Sequence, residues 1–145
     1  MMTETLEFKQ RSDLDLVLRD PATRLQNADR LTGHWLNTDA DTQGVAEVFV
    51  EQNGDVFSVR LIGVGNDGPI KWPRADARVL ANLDEEGGQR AIALTATFDF
   101  GFMQAETCVR VNKGVLVLLL FNAFRDDSRR SNYVTREFYY RENRS

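Results

Sequence analysis

The stretch VAEVFVEQNGDVFSVRLIG, Val45 to Gly63, decides how the chain is read. Two runs of period-two alternation flank Asn53-Gly54, a dipeptide that supplies the positive φ a tight hairpin turn demands. Residues 45 to 62 therefore predict a β-hairpin. Downstream the same grammar continues through RAIALTATFDF, FMQAETCVRV and GVLVLLLFNAF, punctuated by Gly101 and by Asn112-Lys113-Gly114, and closes with NYVTREFYYR. Counting the segment after Trp35 and the run ADARVLANL, the series reaches about eight strands. Short antiparallel strands joined by Gly and Asn turns predict an all-β barrel or sandwich. The strand-helix alternation that a parallel sheet needs is missing.

Toward the N-terminus the pattern changes. Asp20 followed by Pro21 makes an N-cap and first-turn pair, and Ala22, Leu25, Ala28 and Leu31 follow at helical spacing, so a short helix is expected before the strands. Leu14, Leu16 and Leu18 alternate with Asp13, Asp15 and Val17, which suits an added edge strand and a loop equally. No linker, repeat or low-complexity tract divides the chain, and 145 residues can bury one core without metal or disulfide support. One domain over residues 1–145 is expected.

Composition narrows the function classes. A net charge of −4 argues against general nucleic-acid binding, and the basic cluster Arg125, Arg129 and Arg130 shares its turn with Asp126 and Asp127. The longest apolar run, Val115 to Phe121, is far short of the roughly 20 residues of a membrane helix. Cys108 is the one cysteine, so no internal disulfide is possible, and MMTETLEFKQRSD lacks the apolar core of a secretory signal. A cytoplasmic protein is expected. In GVLVLLLFNAF both faces are apolar, Leu116, Leu118 and Leu120 on one and Val115, Val117, Leu119 and Phe121 on the other. The outer face needs a cover, either the N-terminal helix or leucine-rich segment or a second copy in a homodimer.

A second stretch, LTGHWLNTD from Leu31 to Asp39, adds a family resemblance. Gly33-His34-Trp35, after a one-turn helix and at the start of the first strand, resembles the N-terminal signature of the lipocalins and wider calycin barrels, small bacterial members included. The resemblance implies an eight-stranded antiparallel barrel whose floor Trp35 closes, with an arginine from a late strand over its ring as a cation-π partner. Arg141 and Arg136 are the candidates, Arg141 lying nearer the end of its strand. The likeness has departures. Asp99-Phe100-Gly101-Phe102 stands where lipocalins often carry Thr-Asp-Tyr, and a second helix after the first strand, typical of the intracellular fatty-acid-binding branch, is missing. Thr135-Arg136-Glu137-Phe138 is similar to that branch's carboxylate-holding Arg-x-Tyr, with Phe in place of Tyr. LTGHWLN also resembles the start of an avidin, but the later tryptophans are missing and a biotin site is not expected.

Several motifs have plain readings. Gly63-Val64-Gly65-Asn66-Asp67-Gly68 matches G-x-G-x-x-G, yet Pro69 and Pro73 come where a phosphate-binding helix would start, so a flexible inter-strand loop is expected. Asp39 to Gly44 resembles the opening of a calcium loop, but its twelfth position is Val50, and a polar turn without metal is the better account. No cofactor is expected. With Trp35 inward the one histidine, His34, points outward, so no Ser-His or Cys-His pair can be built in the cavity. Cys108 reads as a small filler. Trp72, in a loop near the barrel mouth, suits a ligand lid or a cap on the core. The strand-borne polar groups that could carry chemistry are Arg60, Glu106, Arg110, Tyr133, Glu137 and Tyr139, with Arg60, Glu106, Tyr133 and Tyr139 the candidate anchors for a ligand if their faces turn inward; each also suits an outward, solvated position. The expected function is binding of a small hydrophobic or amphipathic molecule in the barrel cavity. The alternative is a cofactor-independent isomerase or cyclase acting on a small hydrophobic metabolite, and a cavity filled by its own side chains would leave an interaction domain.

Overall fold

The computed structural model describes residues 28–81 and 91–143. Its strands are β1 (Gly33–Asn37), β2 (Val45–Asn53), β3 (Val56–Gly65), β4 (Gly68–Lys71), β5 (Ala75–Ala81), β6 (Ala91–Asp99), β7 (Met103–Asn112), β8 (Val115–Phe124) and β9 (Tyr133–Arg141). Every pairing is antiparallel. The sheet runs β2-β1-β9-β8-β7-β6-β5-β3, and β3 pairs again with β2, so eight strands close into a barrel while β4 pairs only with the end of β3. Closure removes the free edges that an open sheet would expose.

The hairpin read from the sequence has the register Asn53↔Val56, which moves the turn one residue on, to Gly54 and Asp55, with Gly54 at φ +65°. Asn112 pairs with Val115 around Lys113 and Gly114, both at positive φ, as a tight hairpin between twisted strands requires. Gly63 to Gly68 differs from expectation. It is no flexible loop but the end of β3 and the start of β4, paired as Gly65↔Gly68 across Asn66-Asp67. Pro69 is tolerated because β4 is an edge strand. Among the described residues there is no α-helix. Of the helix expected from Asp20 only the end falls on described residues, where Ala28–Arg30 form a 3-10 turn and no α-helix, and the Leu14 to Leu18 segment lies wholly outside.

Period-two alternation fills the interior. Phe57, Val59 and Leu61 of β3, Val109 of β7, Leu116 and Leu118 of β8 and Tyr139 of β9 are all buried in one cluster with Trp35. Trp35 closes the end where β1 begins. Its indole N–H donates to the Leu31 carbonyl at 2.9 Å, and the Arg141 guanidinium lies 4.7 Å from the ring centroid. Arg141 is opposite Trp35 in the β1–β9 register, and its far nitrogen donates to the carbonyls of Asp29 and Arg30 at 2.8 and 2.6 Å. Gly33 has φ +135°, a conformation that strains any other residue, and its position lies against the Arg141 side chain. The glycine and tryptophan of Gly-x-Trp thus act on one contact.

On the outer face of β8 and β9 the ladder sets Phe121 beside Val134, Leu119 beside Arg136, Val117 beside Phe138 and Val115 beside Tyr140. Phe121, Val134, Phe138 and Tyr140 are 41–57% exposed. Loss of the floor should be costly. Trp35→Ala is expected to destabilise the protein by about 3–5 kcal/mol, as large aromatic-to-alanine core changes do. Thermal or denaturant unfolding checks it, and a midpoint equal to that of the wild type would remove the plug role from Trp35.

Candidate functional site

The end opposite Trp35 is built by four connections: β1–β2, β3–β4 with its return to β5, β6–β7 and β8–β9. There the packed interior gives way to an open cavity of roughly 500 Å³. Its apolar wall is Trp72, Met103, Leu120, Tyr133, Val64 and Ile70, and its polar wall is Asn122, Thr135 and Glu137.

Trp72 is placed by backbone and by rings. Its N–H donates to the Leu61 carbonyl at 3.0 Å, and its indole meets Phe98 and Phe100 edge-on at centroid distances of 5.2 and 5.1 Å. A side chain at Gly63 would begin 3.3 Å from the Trp72 ring nitrogen, so the glycine lets the indole lie close to β3. Trp72 therefore caps the core with one edge and lines the cavity with the rest.

Glu137 is the carboxyl side chain on the wall. Its carboxylate accepts from Thr42 Oγ1 and Asn37 Nδ2, both at 2.5 Å, and from the Val45 N–H at 3.2 Å. Those donors come from β1, the β1–β2 loop and β2, so the acid ties three segments together. Beneath it the buried Tyr139 hydroxyl donates to the Val45 carbonyl at 2.7 Å, and Asn37 donates to the same carbonyl at 2.9 Å. Burial and then the neighbouring Glu137 charge push the Tyr139 phenol well above its ordinary value, against a smaller opposing contribution from Asn37. Asn122 is 4% exposed, and its Oδ1 has no hydrogen-bond partner.

The five anchors expected from the sequence separate. Trp72 and Tyr133 meet at the cavity. Tyr139 points into the barrel below the cavity lining, with its hydroxyl already engaged. Arg60 is on the outer face, its guanidinium 4.5 Å from the centroid of Phe49 and 4.0 Å from the Glu51 carboxylate. Glu106 is outward on β7, paired with Phe121 of β8. Arg136 lies outside over Phe138 at 5.4 Å, so the Thr135-Arg136-Glu137-Phe138 run brings Thr135 and Glu137, not its cation, to the interior. His34 is outward as well, stacked on Phe49 at 4.1 Å with its ring nitrogens against Glu47 at 2.6 Å and Glu142. Burial pushes the Cys108 thiol up, against a smaller pull from Arg110, away from the range of a reactive thiolate. No group of acidic, histidine or cysteine side chains able to hold a metal occurs among the described residues.

Asn122 and Thr135 were missed as site residues. Asn122 continues the inward series Leu116, Leu118, Leu120, and a polar residue in that register was the available signal. No family model, curated protein or solved structure matches the chain.

The Tyr139 environment makes two linked predictions. Tyr139→Phe should cost about 1 kcal/mol, one buried hydrogen bond, because Asn37 still satisfies the Val45 carbonyl. The raised phenol of the folded state gives stability that is complete below the unfolded value, about 10, and declines as pH rises above it. Spectrophotometric alkaline titration should find one of the three tyrosines ionising only with unfolding, and that step should vanish in Tyr139→Phe.

Proposed function

We propose that the protein binds a small hydrophobic or amphipathic molecule in the open end of its barrel. One observation carries this reading: an apolar cavity of roughly 500 Å³, walled by Trp72, Met103, Leu120 and Tyr133, above an otherwise packed interior. Its volume falls in the range of small-molecule sites, where apolar walls supply affinity and a few polar groups fix orientation. The Trp35–Arg141 contact supports a calycin-type, lipocalin-like origin for the barrel. Glu137 already accepts three hydrogen bonds from the protein, which favours binding over acid-base turnover in the isomerase or cyclase alternative. No helix among the described residues is long and apolar enough to cross a membrane, and we place the protein in the cytoplasm, where a free Cys108 is compatible with the reducing conditions.

Trp72 should report occupancy, since an indole that exchanges water for an apolar contact changes its emission. Titration with aliphatic alcohols and flat aromatic compounds should give a saturable emission change that is lost in Trp72→Phe, in which Trp35 remains as the internal control. Conversion of a bound compound, followed by mass spectrometry, would favour the enzyme reading; absence of binding across both classes would remove the cavity reading.

A second copy of the chain is the proposed cover for the outer face of β8 and β9. Glu106 borders the apolar rows and Arg136 stands within them, so a two-fold pairing can set one copy's carboxylate against the other's guanidinium. Changing both Phe121 and Val134 to Lys should shift sedimentation from dimer to monomer with the circular dichroism unchanged. A wild-type protein that sediments as a monomer at high concentration would end the dimer proposal.

A further inference from the structure

We propose that the ligand of the barrel mouth is an amphipathic amine: its hydrocarbon body covers the apolar wall, the Glu137 carboxylate supplies the counter-charge to its ammonium group, and the Trp72 and Tyr133 rings supply aromatic surface beside it. This rests on the binding reading above and adds the chemical class of the ligand.

Charge is the first observation. Among the residues that line the cavity Glu137 is the only one of charged type, and no lysine, arginine or histidine stands with it. Its carboxylate is held by neutral donors, the Asn37 amide and Thr42 hydroxyl on Oε2 and the Val45 N–H on Oε1. None of the ion pairs among the described residues includes it. Both oxygens accept from the protein, which an amide with its single acceptor oxygen cannot match, so the tie to the β1–β2 loop explains why an acid stands at this place. It provides no cation. The consequence is a negative potential inside a partly enclosed, largely apolar site, where a charge acts more strongly than it does in water. Such a wall opposes an anionic ligand and attracts a cationic one, and the attraction extends over several ångströms, so it asks for no further hydrogen bond to the carboxylate.

The rings are the second observation. Among the described residues arginines lie over Phe49, Phe102, Phe124, Phe138 and Trp35, and none lies over Trp72 or Tyr133. Both of these rings line the cavity, and Tyr133 is half exposed. Aromatic surface attracts ammonium groups through its negative face. The mouth thus offers an unmatched carboxylate and two aromatic rings that no cation of the protein covers, on a wall completed by Met103 and Leu120. An ammonium group with a hydrocarbon tail meets all of these together.

The test compares decylamine, decanol and decanoate, which share a chain and differ in charge, by calorimetry at pH 7 and low salt, where the amine is protonated like a lysine side chain. Decylamine should bind the wild type about tenfold more tightly than decanol, and decanoate more weakly than decanol. In Glu137→Gln the amine should fall to within about twofold of the alcohol. Glu51→Gln makes the same change of charge on the outer face and should keep the preference, which separates the mouth from the protein's net charge of −4. Tyr133→Leu, which keeps apolar surface and removes a ring, should cut the advantage of the amine about threefold while decanol binds as before. Decanol equal to decylamine on the wild type, or decanoate binding most tightly, overturns the inference and leaves the cavity reading in place. An advantage that survives undiminished in Glu137→Gln or in Tyr133→Leu, or that is lost in Glu51→Gln, also overturns it. If none of the three compounds binds the wild type, the binding reading fails with it. The order of the compounds on the wild type and the Tyr133→Leu result decide the matter even if Glu137→Gln does not fold.

Discussion

The Arg141 guanidinium over the Trp35 ring, 4.7 Å from its centroid, is the contact on which the barrel's closure turns. Trp35 belongs to the first barrel strand and Arg141 to the last, and the two face each other in the β1–β9 register. A sheet of eight strands gains its final ladder only when these ends meet, so the entropy of closing more than a hundred residues of chain falls on this junction. Several weak terms converge on it: a cation-π contact, the indole hydrogen bond to Leu31, and two from the guanidinium to Asp29 and Arg30. The entering chain is thus bound to both the first and the last strand.

That junction also explains why the two ends of the barrel differ in character. At the floor, the Trp35 indole N–H and one guanidinium nitrogen of Arg141 have backbone partners, and the interior above is filled by Phe57, Leu116, Leu118 and Tyr139. At the mouth the same inward registers carry Thr135, Glu137 and Asn122 instead. β9 passes from Arg141 through Tyr139 to Glu137, Thr135 and Tyr133 along one face, so a single strand runs from structural cation to cavity wall. The buried cluster packs the interior below, and the unfilled volume lies at the mouth.

How far the sequence could be read depends on the contrast between faces. In β3, Phe57, Val59 and Leu61 are strongly apolar against Ser58 and Arg60, a contrast that weighs for the outward position of Arg60 and against its reading as an anchor. Glu106 is legible in the same way, opposite Ala105, Thr107 and Val109. β9 offers no such contrast, since Tyr133, Thr135, Glu137 and Tyr139 compete with Val134, Phe138 and Tyr140; only the pairing of Arg141 with Trp35 assigns its faces. β8 hides its information differently. Both its faces are apolar, which marks the strand clearly and leaves Asn122 to be noticed as the one polar residue within it. The β4 hairpin was obscured by glycines that suit a loop as well as a close turn, and the distinction lies in the pairing of Gly65 with Gly68.

Glu137 shows how the cavity is shaped by groups that do not belong to a ligand. Its three donors come from the β1–β2 loop and the strand ends on either side of it, and Gly44 sits so close that a side chain there would collide with the carboxylate. The acid is therefore used in holding the β1–β2 loop against β9, and its charge remains as a fixed feature of the wall. A barrel of this kind, with a structural acid at its mouth and with Arg60 and Arg136 turned outward, presents there an electrostatic environment opposite to that of a carboxylate clamp.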